Sequence, residues 1–288
     1  MAEWTHLVRF VASDDSQTYF GQLVETGGEA LKSVGEGTEV YVVKGDPLGE
    51  YTVTQERKKI EKVLSPLAKE QVPLIKCVGL NYAKHAAEGN FNVPEWPTLF
   101  IKPRTALADP ATDIPIPECV QDKSLDFEAE LCFVLAKDCR NVPMNAPNWR
   151  EYVAGYAVGN DLSWRRAQMD PKLSGSQICM GKGPDKFAPV GPVLVSGKAI
   201  DASDLPISLR RNGETMQSSR TSDMIYKVPD IISRFSQGTT LEKGTIIMTG
   251  TPEGVGVLRN PKVYLEHGDK VEVEIDGLGI LRHGIHYE

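Results

Sequence analysis

Apolar residues along the chain fall into short runs broken by polar, proline or glycine punctuation, a rhythm that favours strands over long helices. Residues 7–11, 19–24 and 40–43 are β-branched or aromatic runs separated by Ser13-Asp14-Asp15-Ser16 and Gly27-Gly28, and each predicts a strand. Residues 56–64 place Ile60, Val63 and Leu64 at the spacing of one helical face, so a helix is expected there. Ser65-Pro66 then marks a boundary. Residues 1–65 are expected to form a small β-rich N-terminal domain, and residues 72–288 the main domain.

Beyond residue 72 the runs 74–80, 99–101, 131–136, 190–195 and 245–249 alternate with proline-rich connectors and predict further strands. Residues 228–235 read as a helix with Pro229 in its first turn. Val271, Val273 and Ile275 alternate with charged residues and lead into Asp276-Gly277, a hairpin signal. There is no βαβ rhythm and no repeat of fixed period. The fold class is therefore mainly β, of the α+β kind, with short accessory helices.

Composition narrows the function. A net charge of −7 with no dense Lys/Arg patch excludes a nucleic-acid partner, and no apolar run is long enough to span a membrane as a helix. Five cysteines, an odd number without a CxxC pair, read as free thiols in a reducing compartment. With Glu3 near the start and no apolar leader, the expected location is cytoplasmic.

The segment Leu125-Asp126-Phe127-Glu128-Ala129-Glu130-Leu131 carries the strongest chemical signal. On a strand, Glu128 and Glu130 share a face. Gly159-Asn160-Asp161 ends another apolar run, and a third carboxylate there would complete an all-oxygen site for a hard cation. An isolated pair of this kind is more often the solvent face of a half-exposed strand. Asp126, in phase with both, leans the same way, and composition alone leaves the choice open.

Those two segments, taken with others, resemble the fumarylacetoacetate hydrolase superfamily. Val78-Gly79-Leu80-Asn81-Tyr82-Ala83-Lys84-His85 looks like its entry motif, and Phe100-Ile101-Lys102-Pro103 like its next strand. Gly181-Lys182-Gly183 through Pro189-Val190-Gly191-Pro192 looks like its lysine segment. Thr221-Ser222-Asp223-Met224 and Thr249-Gly250-Thr251-Pro252-Glu253-Gly254-Val255-Gly256 look like its last signatures. The likeness runs in order over residues 72–285, and Gly256-Val257-Leu258-Arg259-Asn260-Pro261 is similar to the branch that includes eukaryotic oxaloacetate tautomerases. The resemblance implies a mixed β-roll or sandwich, a homodimer, and Glu128, Glu130 and Asp161 as ligands of Mg²⁺, or of Mn²⁺, with Ca²⁺ as the larger alternative.

The remaining groups take roles from the same resemblance. His85 and Glu88, three apart, would share a helical face; the resemblance places them on a lid-like segment as the acid–base pair, and the bland alternative is a surface pair. Lys182, between two glycines, would bind substrate or enolate; otherwise it is a solvated charge. Arg165 and Gln168 follow Asp161 at helical spacing and would face the substrate, as would Thr251; otherwise they are surface and turn residues. Arg166 and Thr245 depart from the family pattern, which common acidic residues fill. His6, His267, His283 and His286 match no site pattern. The implied substrate is a small enolisable 2-oxo carboxylate. Oxaloacetate tautomerisation or decarboxylation is the first expectation and acylpyruvate or fumarylpyruvate C–C hydrolysis the second. A metal-binding dimer without activity is a reading of another class, against which His85, Glu88 and Lys182 speak.

Overall fold

The computed structural model describes residues 3–288. The strands in chain order are β1 (His6–Ala12), β2 (Thr18–Leu23), β3 (Glu39–Gly45), β4 (Tyr51–Leu64), β5 (Ile75–Gly79), β6 (Thr98–Lys102), β7 (Leu107–Ala108), β8 (Thr112–Ile116) and β9 (Leu125–Asp126). They continue as β10 (Ala129–Leu135), β11 (Val153–Asn160), β12 (Ser163–Trp164), β13 (Ala188–Ser196), β14 (Pro206–Arg211), β15 (Glu214–Arg220), β16 (Ile246–Met248), β17 (Lys270–Ile275) and β18 (Gly279–Tyr287). The helices are short: α1 (Gly28–Lys32), α2 (Ala83–Glu88), α3 (Arg165–Met169), α4 (Pro171–Ser174), α5 (Ile178–Lys182) and α6 (Val228–Phe235). The fold is mainly β with accessory helices, as the periodicity predicts.

The larger sheet runs β2-β3-β4-β1-β13-β11-β10-β16-β5-β6, with β7 beside β13, and a second sheet runs β15-β14-β17-β18-β8. The second sheet lies on one face of the first, through β13 and β11 against β18 and β17 and through β10 against β14. Leu131, Phe133, Val158, Val193, Leu209, Val273 and Leu281 fill the space between them. The opposite face of the larger sheet is also covered, by Leu7, Ile75, Cys77, Cys132, Val134, Leu194 and Met248. Every residue of β10 is therefore buried, and past Glu130 the run is apolar rather than alternating, as in a strand covered on both faces.

Residues 56–64 are not a helix; they form the second half of β4. The chain pairs Phe10 with Val63 and Val11 with Lys62, but Ala12 with Ile60, so one extra residue bulges out of register. That bulge turns both Ile60 and Val63 inward although they stand three apart. A helical spacing was thus produced by an irregular strand. By contrast Val228–Phe235 is helical as expected, with Pro229 in the first turn and Asp230 accepting from the Lys227 N–H.

Candidate metal and substrate site

Glu130, the second residue of β10, is in phase with Cys132 and Val134, so its side chain projects to the covered opposite face of the larger sheet rather than towards solvent. Glu128 lies in the irregular step between β9 and β10, and Asp161 just past the end of β11. The Asp161 N–H donates to the Glu128 carbonyl at 2.9 Å, and the Glu128 N–H donates to Asn160 Oδ1 at 2.9 Å. These bonds tie two ligand-bearing bends together. Opposite Glu130 stands Gly159, where a Cβ would sit 2.4 Å from Cys132 Sγ; only glycine allows that approach. The carboxylates of Glu128, Glu130 and Asp161 each offer an oxygen within 4.8 Å of the others, and all three are buried. The solvent-face reading is overturned: Asp126 is buried as well.

Asp126 has a different task. Its carboxylate accepts from the N–H groups of Phe127, Gly256 and Val257 and from Arg165 Nε at 2.8 Å. It fastens the carboxylate segment to the turn at 254–258. Arg165 heads α3 and reaches Glu128 Oε1 at 2.7 Å through Nη2, while its Nη1 donates to Gln168 Oε1 at 2.9 Å. Asp161 is not on that helix, because β12 intervenes, so the helical spacing holds between Arg165 and Gln168 only. Lys182 sits at the end of α5 rather than in a loop. It is buried, and its ammonium lies 2.8 Å from Glu128 Oε2 and 2.6 Å from Asp161 Oδ2. Thr251 is buried and accepts from Gln217 Nε2 at 2.8 Å.

His85 and Glu88 share one face of α2, with Nδ1 and Oε2 3.3 Å apart. Glu88 also accepts from the Gly254 N–H, at 3.1 Å to each oxygen. The helix is thereby docked on the Thr251–Val257 turn, and past it Arg234 stacks over Trp96 at 5.0 Å. His85, Glu128, Arg165, Gln168, Lys182 and Thr251 all line one cavity of about 390 Å³. Phe91, Phe100, Ile178, Val257 and Leu258 supply much of its apolar wall.

Four functional-looking positions escape sequence reasoning. Lys102 on β6 is fully buried; its ammonium donates to the carbonyls of Leu162, Lys182 and Phe187 at 2.6–3.0 Å and forms an ion pair with Asp161 Oδ1 at 2.6 Å. Gln217 on β15 accepts from the Ala129 N–H and donates to Thr251 and the Pro252 carbonyl. Asn160 and His283 join at 2.9 Å beneath Glu128. Asn160 and His283 are polar residues within largely buried strands, whereas β6 and β15 are half-exposed and give Lys102 and Gln217 no such signal.

Burial acts to raise the Glu128 carboxyl, but the charges of Lys182 and Arg165 outweigh it and bring it down to about 2. Glu130 is pushed well above the ordinary range, by burial first and then by the carboxylates of Asp161 and Glu128. Lys182 is raised: burial opposes its charge, and Asp161 and Glu128 overcome that opposition. Glu130 Oε2 accepts from the Gly250 N–H at 2.7 Å, whereas Oε1 is buried without a partner. An orphaned carboxyl oxygen facing two other carboxylates fits a hard divalent cation, which favours all-oxygen ligands.

Comparison with known proteins agrees with this chemistry. The family described as fumarylacetoacetate (FAA) hydrolase C-terminal matches residues 74–286. The chain belongs to the fumarylacetoacetate hydrolase family. It is a metal-dependent enzyme of that superfamily, whose members include tautomerases, isomerases and hydrolases. A mitochondrial oxaloacetate tautomerase of Bos taurus is 39% identical over 243 residues, 81% of this chain and 76% of that protein. The caffeoylpyruvate hydrolase of Neonothopanus nambi is 35% identical over 99% of this chain and 94% of its own. A solved fumarylpyruvate hydrolase from Pseudomonas aeruginosa, in complex with Mn²⁺ and pyruvate, superposes with a TM-score of 0.67 at 32% identity, covering 79% of this chain and 93% of that one.

Proposed function

We propose that the enzyme enolises a small 2-oxo carboxylate held at Glu128, Glu130 and Asp161, with oxaloacetate tautomerisation or decarboxylation as its first activity. One observation carries the reading. Glu128 of the hard-cation donor set, the cationic side chains of Arg165 and Lys182, and His85 of the His–Glu pair line the same cavity. A bound divalent cation would act there as a Lewis acid towards the 2-oxo group. Lys182 offers positive charge to the anionic substrate, and Thr251 and Gln168 offer polar contacts at the wall. Glu88 orients His85 through Nδ1 and leaves Nε2 to take or deliver a proton. The bovine tautomerase supports this outcome. A second reading, C–C hydrolysis of an acylpyruvate, is favoured by the apolar wall of Phe91, Ile178 and Leu258 and by the full-length match to a caffeoylpyruvate hydrolase.

Mg²⁺ or Mn²⁺ is preferred over Ca²⁺ in this proposal. Each carboxylate already has one oxygen engaged elsewhere: Glu128 with Arg165, Glu130 with Gly250, Asp161 with Lys102. That leaves monodentate donors, which suit a small octahedral ion, whereas Ca²⁺ takes more oxygens and often bidentate ones. The homodimer is supported by β6, a sheet edge on which Leu99 and Ile101 are exposed; light scattering over a range of concentrations tests it. The division at residues 65–72 is supported by a family match that begins at residue 74 and by the mutual pairing of β1–β4, while β1 also pairs with β13 and so joins both parts in one sheet. Five unpaired cysteines suit the cytosol or another reducing compartment. Among the described residues no helix is long and apolar enough to cross a membrane.

The deciding experiment follows enol loss and pyruvate release separately on oxaloacetate and on acylpyruvates, for the native chain and His85→Ala. We expect His85→Ala to keep its Mn²⁺ affinity and lose about 10²–10⁴-fold in turnover on the best substrate. Undiminished turnover would assign the proton transfer to another residue.

A further inference from the structure

Lys182 is placed where a merely substrate-facing lysine would not be. Its ammonium bridges Glu128 Oε2 and Asp161 Oδ2 at 2.8 and 2.6 Å. The other oxygens of these two carboxylates are held by Arg165 and Lys102. Lys182 thus occupies the two oxygens that Glu128 and Asp161 have left for a divalent cation. Lys102 also holds the Lys182 carbonyl at 2.6 Å, so the backbone at this point is pinned and only the side chain is free to relocate. It has somewhere to go: the residue lines the cavity, and its ammonium stands 5.0 Å from the centre of the Phe100 ring.

We propose that Lys182 is an internal counter-ion that a divalent metal displaces into the cavity, so that the metal switches on binding of the substrate anion. The inference rests on the metal-site reading above. Two cations sharing one carboxylate oxygen lie about 4 Å apart, close enough to repel strongly away from bulk water. Charge balance works in the same direction. Four buried carboxylates, Asp126, Glu128, Glu130 and Asp161, face three buried cations, Lys102, Arg165 and Lys182. With all of them ionised, as ligation of a cation requires, the carboxylates outnumber the cations by one charge. A divalent ion turns that into one excess positive charge, and the relocated ammonium presents it to the cavity. Metal and 2-oxo acid then bind with positive coupling, in the order metal first.

The sign of one measurement separates this from a lysine that only supports the ligands. Mn²⁺ binding is measured by calorimetry on the native chain, on Lys182→Met and on Lys182→Gln. Displacement predicts that both neutral variants bind Mn²⁺ at least about tenfold more tightly, because the ion no longer evicts an ammonium. Equal or weaker binding in a folded variant overturns the proposal. The native chain gives a second readout should neither variant fold. Selective ¹⁵N labelling of lysine reports the buried Lys182 ammonium by NMR, and its resonance should shift and lose exchange protection as Mg²⁺ is added. A resonance that does not respond while Mg²⁺ binds overturns the proposal too. Failure of the underlying reading looks different: the native chain would then bind no metal at all, and Glu130→Ala would behave like it.

Discussion

Two networks of acidic and basic side chains occupy different sides of this molecule. On the second sheet, Arg210 pairs with Glu272 and Glu274 at 3.1 Å, Arg282 with Glu272 at 2.8 Å and Lys32 with Glu274 at 3.2 Å. Their side chains remain 22–45% exposed. At the candidate site the same residue types are almost fully removed from water, with Lys102 and Asp161 at 0%. Surface pairs are solvated in either state, so each contributes little. A buried charge must be compensated by neighbours or it is very costly. The buried network nevertheless sets four carboxylates against three cations and leaves an unpartnered oxygen on Glu130. A deficit of that kind in a dry place marks a site for a cation; the same deficit at the surface would be filled by water.

The largest expected effect of breaking the contrast is at Glu130. Glu130→Ala should abolish Mg²⁺ and Mn²⁺ binding in calorimetry and every enolisation activity with it. A normal isotherm would move the metal elsewhere. Next comes Lys102→Met, which removes one member of a buried ion pair and strands Asp161 and three carbonyls. Chemical denaturation should show a loss of about 3–5 kcal/mol. A change under about 1 kcal/mol would mean that water reaches the pair after all.

His283 sharpens the comparison because it is buried beside the network yet uncharged. Burial lowers its pKa from 6.5 to about 4. Its Nε2 faces the Asn160 amide nitrogen at 2.9 Å, so it must accept there, and the proton sits on Nδ1 towards the Gly284 carbonyl. The native state therefore binds fewer protons than the unfolded state below pH 6.5. Stability from this group is full above that value and is lost as the pH falls towards 4, by up to about 1.4 kcal/mol per pH unit. His283→Gln keeps an acceptor for Asn160 and should flatten the stability profile between pH 6.5 and 4. An unchanged slope would locate the acid sensitivity in other groups. The smallest effect belongs to the surface network. Arg210→Ala should cost about 1 kcal/mol or less and shrink further in high salt, measurable as a small shift in Tm. A loss comparable with that of Lys102→Met would show that exposure does not set the difference between the two networks.

Chain periodicity alone determined the β-rich class, the helix at 228–235 and the hairpin after Ile275, because a strand or turn depends on residues only a few positions apart. It left Glu128 and Glu130 open between a solvent face and a cation site, and the resemblance to the fumarylacetoacetate hydrolase superfamily joined them with Asp161 as one ligand set. Periodicity erred at residues 56–64, where a bulge imitates the spacing of a helix, and at Asp161 and Arg165, which a strand separates. Local pattern did not distinguish Asp126 from Glu130, two acids in the same strand phase. Their difference arises from groups far along the chain: Arg165 and the N–H groups of Gly256 and Val257 satisfy Asp126, and the single Gly250 N–H leaves half of Glu130 open. Lys102, Gln217 and Asn160 likewise act on partners 32 to 123 residues away. Which carboxylate is neutralised and which awaits a cation is decided by desolvation and by the charges folded around it, and those exist only once distant segments have packed.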